Sequence, residues 1–218
     1  MLVIFDCDGV LVDSEWISNR VLAECLTEAG LPTTTEESMQ TYMGRTMAAC
    51  YEIAEERLGR ALPHDFGGGF RDKSFHALRS EVEATPGVLA ALDAIGSLGL
   101  ATCVASSGPH EKMQVTLGRA GLLPRFEGRI FSASEVERGK PHPDIFLHAA
   151  RQMGAAPERC VVVEDSAPGV RAGRAAGMTV LGFAPDAEPG ALARVGAREF
   201  RDMTELPGLL GGLLAGGA

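Results

Sequence analysis

Short apolar runs alternate with helical stretches through most of the second half of the chain, and a first apolar run opens the sequence. The runs are continuous rather than alternating, which indicates strands buried on both faces of a sheet. Strand–helix alternation favours parallel pairing through right-handed crossovers. The predicted strands are 2–5, 100–105, 129–133, 160–164 and 178–183, and the predicted helices are 87–98, 109–121, 143–153 and 167–177.

Residues 15–80 have a different character, because helical segments follow one another there without a convincing strand. The tripeptide TPG at 85–87 marks a return to the sheet with a helix start. We therefore predict an α/β fold: a Rossmann-like, doubly wound parallel sheet core formed by 1–14 and 81–218, with an inserted all-helical cap domain at 15–80. In such sheets the ligand lies beyond the carboxyl ends of the strands.

Composition and charge exclude several classes of partner. Apolar residues make up 45% of the chain, enough for a sizeable core, whereas 20 basic and 29 acidic residues give a net charge of -9 without a Lys/Arg-rich block. Nucleic acid and anionic membranes are therefore poor partners. No run approaches the ~18 apolar residues of a membrane span, and the first apolar run is too short for a signal peptide.

The remaining composition features favour a cytoplasmic monomer. The five cysteines are dispersed without a CxxC pair, which indicates buried thiols in a reducing compartment rather than disulfides or a zinc site. No exposed apolar helix stands out as an oligomer interface.

The Gly-rich tail predicts one final amphipathic turn followed by a frayed end.

Two carboxylates follow the first predicted strand directly. Asp6 and Asp8 fall at the sheet edge where ligands bind, and Gly9 permits a sharp turn there. An Asx-turn is the alternative explanation for this segment. Cys7 is predicted to be packed, because the flanking carboxylates would suppress its thiolate.

Two further segments offer anion-binding groups. Ser106 and Ser107 precede a predicted helix, where they would act either as an N-cap or as part of a phosphate seat. Lys140 precedes two prolines that keep it outside regular structure, and it is either a solvated loop lysine or a catalytic one. A P-loop is excluded, because Pro141 stands where that motif requires Ser or Thr.

The fourth segment is a buried strand that ends in adjacent carboxylates, Glu164 and Asp165. A helix cap is the structural alternative for this pair. Gly169, Gly173 and Gly177 follow with a spacing of four, which predicts a bare helix face packed closely against the sheet rather than a functional role.

Taken together, these strand ends gather four carboxylates and one lysine along one edge of the predicted sheet. Such a set cannot share a dry cleft without more positive charge, and a hard cation with oxygen ligands would supply it. Mg²⁺ fits best, since it binds few protein carboxylates and completes its shell with water and substrate phosphate.

In order along the chain, four motifs resemble those of the haloacid dehalogenase superfamily of phosphotransferases: DCDGV at 6–10, VASS at 104–107, GKPHPD at 139–144 and VVEDS at 162–166. The helical insert is similar to the cap of the β-phosphoglucomutase-like branch. The resemblance covers essentially the whole chain. Within the branch, it is strongest to bacterial 6-phosphogluconate phosphatase-like proteins.

The resemblance implies roles for the residues of the four motifs. Asp6 would attack phosphorus to form an aspartyl phosphate, and Asp8 would protonate the departing alcohol and then activate water. Ser106 and Lys140 would hold the phosphoryl oxygens. Mg²⁺ would be held by Asp6, the main-chain carbonyl of Asp8 and Asp165, with Glu164 in support.

The resemblance also suggests cap residues that contact the substrate. The segment YMGRTM is similar to the family's specificity loop, which makes Gly44 and Arg45 candidates, and Glu15 and Asn19 would line the entrance. The implied function is an Mg²⁺-dependent phosphatase acting on a small phosphorylated sugar or sugar acid. A phosphomutase is the alternative, although Ser18 stands where mutases carry a histidine, and a non-catalytic phosphometabolite-binding protein is a further one.

Overall fold

The computed structural model describes residues 1–43 and 45–216, and these form two compact units. One unit consists of Met1–Val12 together with Ala84–Ala218, and the other is Asp13–Glu83. The second unit is helical, but its role as a cap domain remains a prediction.

The first unit is built on a six-stranded sheet with the order β5-β4-β1-β6-β7-β8, in which every pairing is parallel. Two short strands, β2 and β3, pair separately where the chain passes between the units. The strands are β1 Leu2–Phe5, β2 Val12–Asp13, β3 Glu83–Ala84, β4 Ala101–Ser106, β5 Ile130–Ser132, β6 Cys160–Glu164, β7 Thr179–Phe183 and β8 Arg198–Phe200. The predicted doubly wound parallel sheet is confirmed.

Among the described residues, the helices of the second unit follow one another, whereas those of the first unit alternate with strands as predicted. They are α1 Glu15–Glu28, α2 Thr35–Tyr42, α3 Met47–Leu58, α4 Phe66–Glu81, α5 Val88–Ser97, α6 His110–Arg119, α7 Asp144–Gln152, α8 Ala167–Ala175 and α9 Leu206–Gly216. The prediction of a single turn and a frayed end at the C-terminus was wrong, because α9 buries Leu206 and Leu210 and this packing outweighs the low helix propensity of its glycines.

Strand order fixes the position of the ligand-binding edge. The chain runs outward from β1 through β4 to β5, then crosses back to β6 on the other side of β1. The carboxyl ends of β1 and β6 therefore meet at the topological switch point, where doubly wound sheets bind their ligands. Asp6 and Glu164 stand at these two strand ends.

The core explains why the strands could be recognised from sequence. Every residue of β1 and β6 is buried. Helix α8 comes close to the sheet at Gly173, where a Cβ atom would lie 2.8 Å from Val180 Cγ2. The predicted packing role was wrong for Gly177, because no atom lies within 4 Å of the place where its Cβ atom would be. Gly177 follows the end of α8, and its φ of +76° is typical of a glycine that ends a helix.

The five cysteines are free and buried. Within the part of the chain that the structure describes, no helix combines the length and the apolar character needed to cross a membrane.

Candidate active site

A buried lysine joins the carboxylates at the ends of β1 and β6. Lys140 Nζ lies 2.7 Å from Asp6 Oδ1 and 2.7 Å from Glu164 Oε1, and its side chain is only 5% exposed. The ammonium also lies 4.9 Å from the centre of the Phe146 ring, which supports its position through a cation–π contact. The structure therefore places Lys140 inside the site rather than on a solvated loop.

Asp6 and Lys140 both have shifted pKa values, and the shift at Asp6 favours its neutral form. Burial raises the pKa of Asp6 to about 7, although Lys140 opposes the shift, and Glu164 adds to it. Burial lowers the pKa of Lys140, but Asp6 and Glu164 outweigh that effect and raise it, so the lysine stays charged. Because only the anion of Asp6 can act as a nucleophile, a further cation would favour the reactive form.

A third carboxylate completes an oxygen-only donor set. Atoms of Asp6, Glu164 and Asp165 all lie within 4.8 Å of one another. Gly9, with a φ of +75°, makes room for this set, since a Cβ atom there would lie 2.1 Å from Asp165 Oδ2. Three carboxylates around one point match the ligand preference of a hard divalent cation such as Mg²⁺. The residues present therefore fit the predicted ion.

Helix α8 fixes the orientation of Glu164. Glu164 Oε2 accepts hydrogen bonds from the Ser166 backbone N–H at 2.6 Å and from the Ser166 hydroxyl at 2.9 Å. A Cβ atom on Gly169 would lie 1.7 Å from Glu164 Oε1. Gly169 thus leaves space for the carboxylate, a role that the sequence analysis missed when it assigned this glycine to packing against the sheet.

Asp8 forms an ion pair with Lys112, a residue that was not among the predicted site residues. Lys112 Nζ lies 2.9 Å from Asp8 Oδ2. Burial lowers the pKa of Lys112, but the nearby Asp8 carboxylate outweighs burial and raises it. The signal that could have found this residue is its place on the first turn of α6, directly after the predicted phosphate seat.

The predicted serines lie at the end of β4 and directly after it, and only the first of them is buried. Ser106 is 1% exposed, and its hydroxyl oxygen accepts a hydrogen bond from the Gly108 backbone N–H at 3.1 Å. Ser107 is exposed. A Cβ atom on Gly108 would lie 3.5 Å from Ser106 Oγ and 3.7 Å from Asp8 Oδ2. Ser106 and Asp8 therefore flank the same point.

Glu135 braces this segment from outside the site. Its Oε1 accepts a hydrogen bond from the Ser132 backbone N–H at 2.6 Å and lies 2.6 Å from His110 Nε2, and its Oε2 lies 3.1 Å from His148 Nε2. The Ser132 hydroxyl in turn donates to the Gly108 carbonyl at 2.8 Å. Glu135 thus connects the start of α6 with α7 and with Ser132, which in turn contacts Gly108 in the loop after β4.

This brace leads to a prediction for Glu135→Gln. Burial raises the pKa of Glu135, but the Ser132 N–H and the two histidines outweigh burial and lower it below its ordinary value of 4.5. An acid whose pKa is lowered by folding stabilises the protein above the unfolded value, and that stability is lost as the pH falls through the folded pKa. We expect Glu135→Gln to lower the free energy of unfolding by about 1 kcal/mol at neutral pH.

Urea unfolding at neutral pH and at about pH 3 measures this difference. The difference in the free energy of unfolding between wild type and Glu135→Gln should narrow at the lower pH, because the unfolded chain then binds a proton on Glu135 and folding must release it. The matched control is Glu137→Gln, which changes an exposed glutamate two residues away. An equal gap at both pH values would show that charge on Glu135 does not contribute.

The candidate substrate residues of the helical unit have varied environments. Asn19 is buried and donates to the Glu15 carbonyl at 2.9 Å, and its side-chain oxygen accepts from the Ser38 hydroxyl at 3.0 Å. Arg45 is exposed, and its Nε donates to the Thr41 carbonyl at 2.8 Å. Asn19 is therefore engaged within its own unit.

Gly44 and Glu15 are the other two predicted substrate residues of the helical unit. Gly44 lies outside the described residues. Glu15 is partly buried at the first position of α1. The substrate-binding roles of all four residues stay predictions.

Comparison with known proteins identifies the class of enzyme to which this chain belongs. Residues 1–177 match the haloacid dehalogenase-like hydrolase family, and the chain belongs to that family. It is a phosphoric monoester hydrolase. The predicted family is confirmed.

Three similar proteins narrow the comparison. The chain is 33% identical over 208 residues to the 6-phosphogluconate phosphatase of Escherichia coli K12, covering 95% of this chain and 93% of that protein. A solved haloacid dehalogenase-like protein of unknown function from Agrobacterium tumefaciens is 36% identical, with a TM-score of 0.85 and 98% of each chain covered. A solved haloacid dehalogenase family hydrolase from Deinococcus radiodurans, with bound phosphate and sodium, is 33% identical, with a TM-score of 0.82 and coverage of 97% and 95%.

Proposed function

We propose that the protein is an Mg²⁺-dependent phosphatase that hydrolyses a small phosphorylated sugar or sugar acid through an aspartyl phosphate on Asp6. The observation that carries the proposal is the cluster of Asp6, Glu164 and Asp165 oxygens within 4.8 Å of one another, with Lys140 bonded to two of these residues. The substrate class is supported by the similarity to a relative named for 6-phosphogluconate.

In the first step, a carboxylate oxygen of Asp6 forms a bond to phosphorus while the bond from phosphorus to the leaving oxygen breaks. Asp8 donates a proton to that oxygen, so that an alcohol departs rather than an alkoxide. The covalent intermediate divides one difficult displacement into two easier steps. Lys140 holds Asp6 in place throughout and balances its charge.

In the second step, Asp8 takes a proton from water, and the water oxygen attacks phosphorus. The bond between phosphorus and Asp6 then breaks, which releases inorganic phosphate and restores the carboxylate. The Ser106 hydroxyl and backbone N–H groups at the start of α6 would contact the phosphoryl oxygens.

Asp6, the Asp8 carbonyl and Asp165 would hold Mg²⁺, with Glu164 in support. The ion supplies the positive charge that lets an anionic nucleophile approach an anionic phosphoryl group. Removal of the ion with a chelator should therefore reduce turnover.

Phosphate release from a panel of phosphorylated sugars and sugar acids, with Mg²⁺ and with a chelator, tests the proposal. We expect turnover of at least one sugar phosphate or sugar-acid phosphate, a loss of at least ~100-fold in chelator, and recovery when Mg²⁺ is restored. Full activity in chelator would refute the metal dependence. Turnover confined to substrates of another class would refute the substrate assignment.

The same panel separates a phosphatase from the phosphomutase considered in the sequence analysis. Incubation with β-glucose 1-phosphate should yield no more than traces of the 6-phosphate. Conversion to the 6-phosphate with little free phosphate would contradict hydrolysis as the main reaction. The absence of any turnover with any substrate would favour a binding protein.

A further inference from the structure

Asp6 and Asp8 each form an ion pair with a different lysine. Lys140 contacts Asp6, whereas Lys112 Nζ lies 2.9 Å from Asp8 Oδ2. The side chains of Lys112 and Asp8 are 24% and 23% exposed, so the second pair is partly shielded from water. A fully exposed ion pair contributes little, but one in such a setting can hold a side chain in a single orientation.

Lys112 is carried on a rigid element. Helix α6 packs against the core through Met113, Thr116 and Leu117, which are buried. The Thr116 hydroxyl donates to the Lys112 carbonyl at 3.1 Å. Because the helix is anchored immediately beyond the lysine, the Lys112 side chain begins from a fixed point.

The stem of Lys112 lies beside the predicted phosphate seat. A Cβ atom on Gly108 would lie 3.5 Å from Ser106 Oγ, 3.6 Å from Lys112 Cδ and 3.7 Å from Asp8 Oδ2. These three side chains therefore surround one bare backbone position. These are ordinary van der Waals distances, so they show that Lys112, Ser106 and Asp8 are neighbours around this position.

We propose that Lys112 is a positioning residue, whose ammonium fixes the rotation of the Asp8 carboxyl group so that Asp8 meets the leaving oxygen of the substrate. The inference rests on the proposed role of Asp8 in proton donation. Lys112 itself transfers no proton and forms no bond to phosphorus. Without the lysine, the Asp8 side chain would be free to turn away from the reacting groups, and the proton that its carboxylic acid form carries in the first step would no longer lie beside the leaving oxygen.

A comparison of two substrates with different leaving groups distinguishes the positioning of Asp8 from a general effect of Lys112 on phosphate binding. An alkyl ester such as a sugar phosphate needs protonation of its leaving oxygen, whereas p-nitrophenyl phosphate releases a stable phenolate without it. For Lys112→Met, we expect kcat/KM to fall ~30-fold on the sugar phosphate and less than ~3-fold on p-nitrophenyl phosphate. The ratio kcat/KM reports only the steps up to departure of the leaving group, whereas kcat also includes the water attack, in which Asp8 acts alike on both substrates.

Lys73→Met is the matched control, because Lys73 forms a surface ion pair with Glu28 at 2.6 Å. It should change neither substrate's kcat. Lys112→Arg, which keeps the charge, should retain more sugar-phosphate turnover than Lys112→Met. It also keeps the test informative if Lys112→Met fails to fold, since an Arg variant that lost kcat/KM substantially and equally on both substrates would contradict the proposal.

Equal losses of kcat/KM on both substrates would overturn the inference and assign Lys112 to direct phosphate binding. In an Asp8→Asn background, Lys112→Met should have no further effect on the sugar phosphate, because the residue that it positions is gone. An undiminished effect there would also overturn it. If wild type hydrolyses neither substrate, the proposed function fails instead.

Discussion

Replacing Asp6 with asparagine is expected to abolish turnover, with a loss of at least ~10⁴-fold in kcat. An amide has nearly the volume of the carboxylate but is not a nucleophile toward phosphorus, so no covalent intermediate would form. Lys140 would keep Glu164 as its anionic partner in the variant, at 2.7 Å in the wild-type site. We therefore expect Asp6→Asn to fold, which thermal unfolding can check beside the activity assay.

Asp186→Asn is the matched control for this substitution, because Asp186 is exposed and lies outside the site. It should retain wild-type kcat. Activity of Asp6→Asn within ~10-fold of wild type would contradict covalent catalysis by Asp6, since general acid–base help from Asp8 alone would then suffice.

Lys140→Met is expected to reduce both activity and stability. The lysine lies between two buried carboxylates, and its loss leaves Asp6 and Glu164 facing each other without a cation from the protein. Removing one partner from a buried ion pair costs about 3 kcal/mol or more in the free energy of unfolding. We expect kcat to fall about 100- to 1,000-fold, because Asp6 would be held less firmly and protonated more often.

The stability loss of Lys140→Met should depend on pH. The pKa of Asp6 is about 7 in the wild-type site, and it would rise further without the lysine that opposes the effect of burial. An acid whose pKa is raised by folding destabilises the folded state as the pH increases through that range. The deficit measured by urea unfolding without Mg²⁺ should thus be larger at about pH 8 than at about pH 5. A deficit that grows as the pH falls would contradict the geometry described here.

The sheet could be predicted from sequence because β1 and β6 are buried along their whole length and have continuous apolar sequences. Strand β8 was missed, since Arg198–Phe200 is three residues long and only its last residue is buried. A short edge strand has no periodic signal of its own, and its pairing with β7 depends on tertiary structure.

The carboxylates and Ser106 could be predicted to lie together because they stand at or next to strand ends, where parallel topology alone brings side chains to one edge. Lys140 was predicted with them, but it lies in the loop between β5 and α7 and not at a strand end. The roles of Lys112, Glu135 and Gly169 could not be predicted in this way. Lys112 and Glu135 depend on the rotation of a helix or turn about its own axis, which strand positions do not determine. Gly169 depends on a close approach between α8 and the Glu164 carboxylate that only coordinates reveal.

In the proposed reaction, Asp6 becomes covalently phosphorylated at a site that also binds Mg²⁺. Beryllium fluoride imitates a phosphoryl group bonded to a carboxylate, so ¹⁹F NMR of the protein with beryllium fluoride tests the claim without a substrate. We predict a bound fluoride signal for the wild-type chain and Asp186→Asn in the presence of Mg²⁺, and none in chelator or in Asp6→Asn. An undiminished signal in Asp6→Asn would contradict the claim.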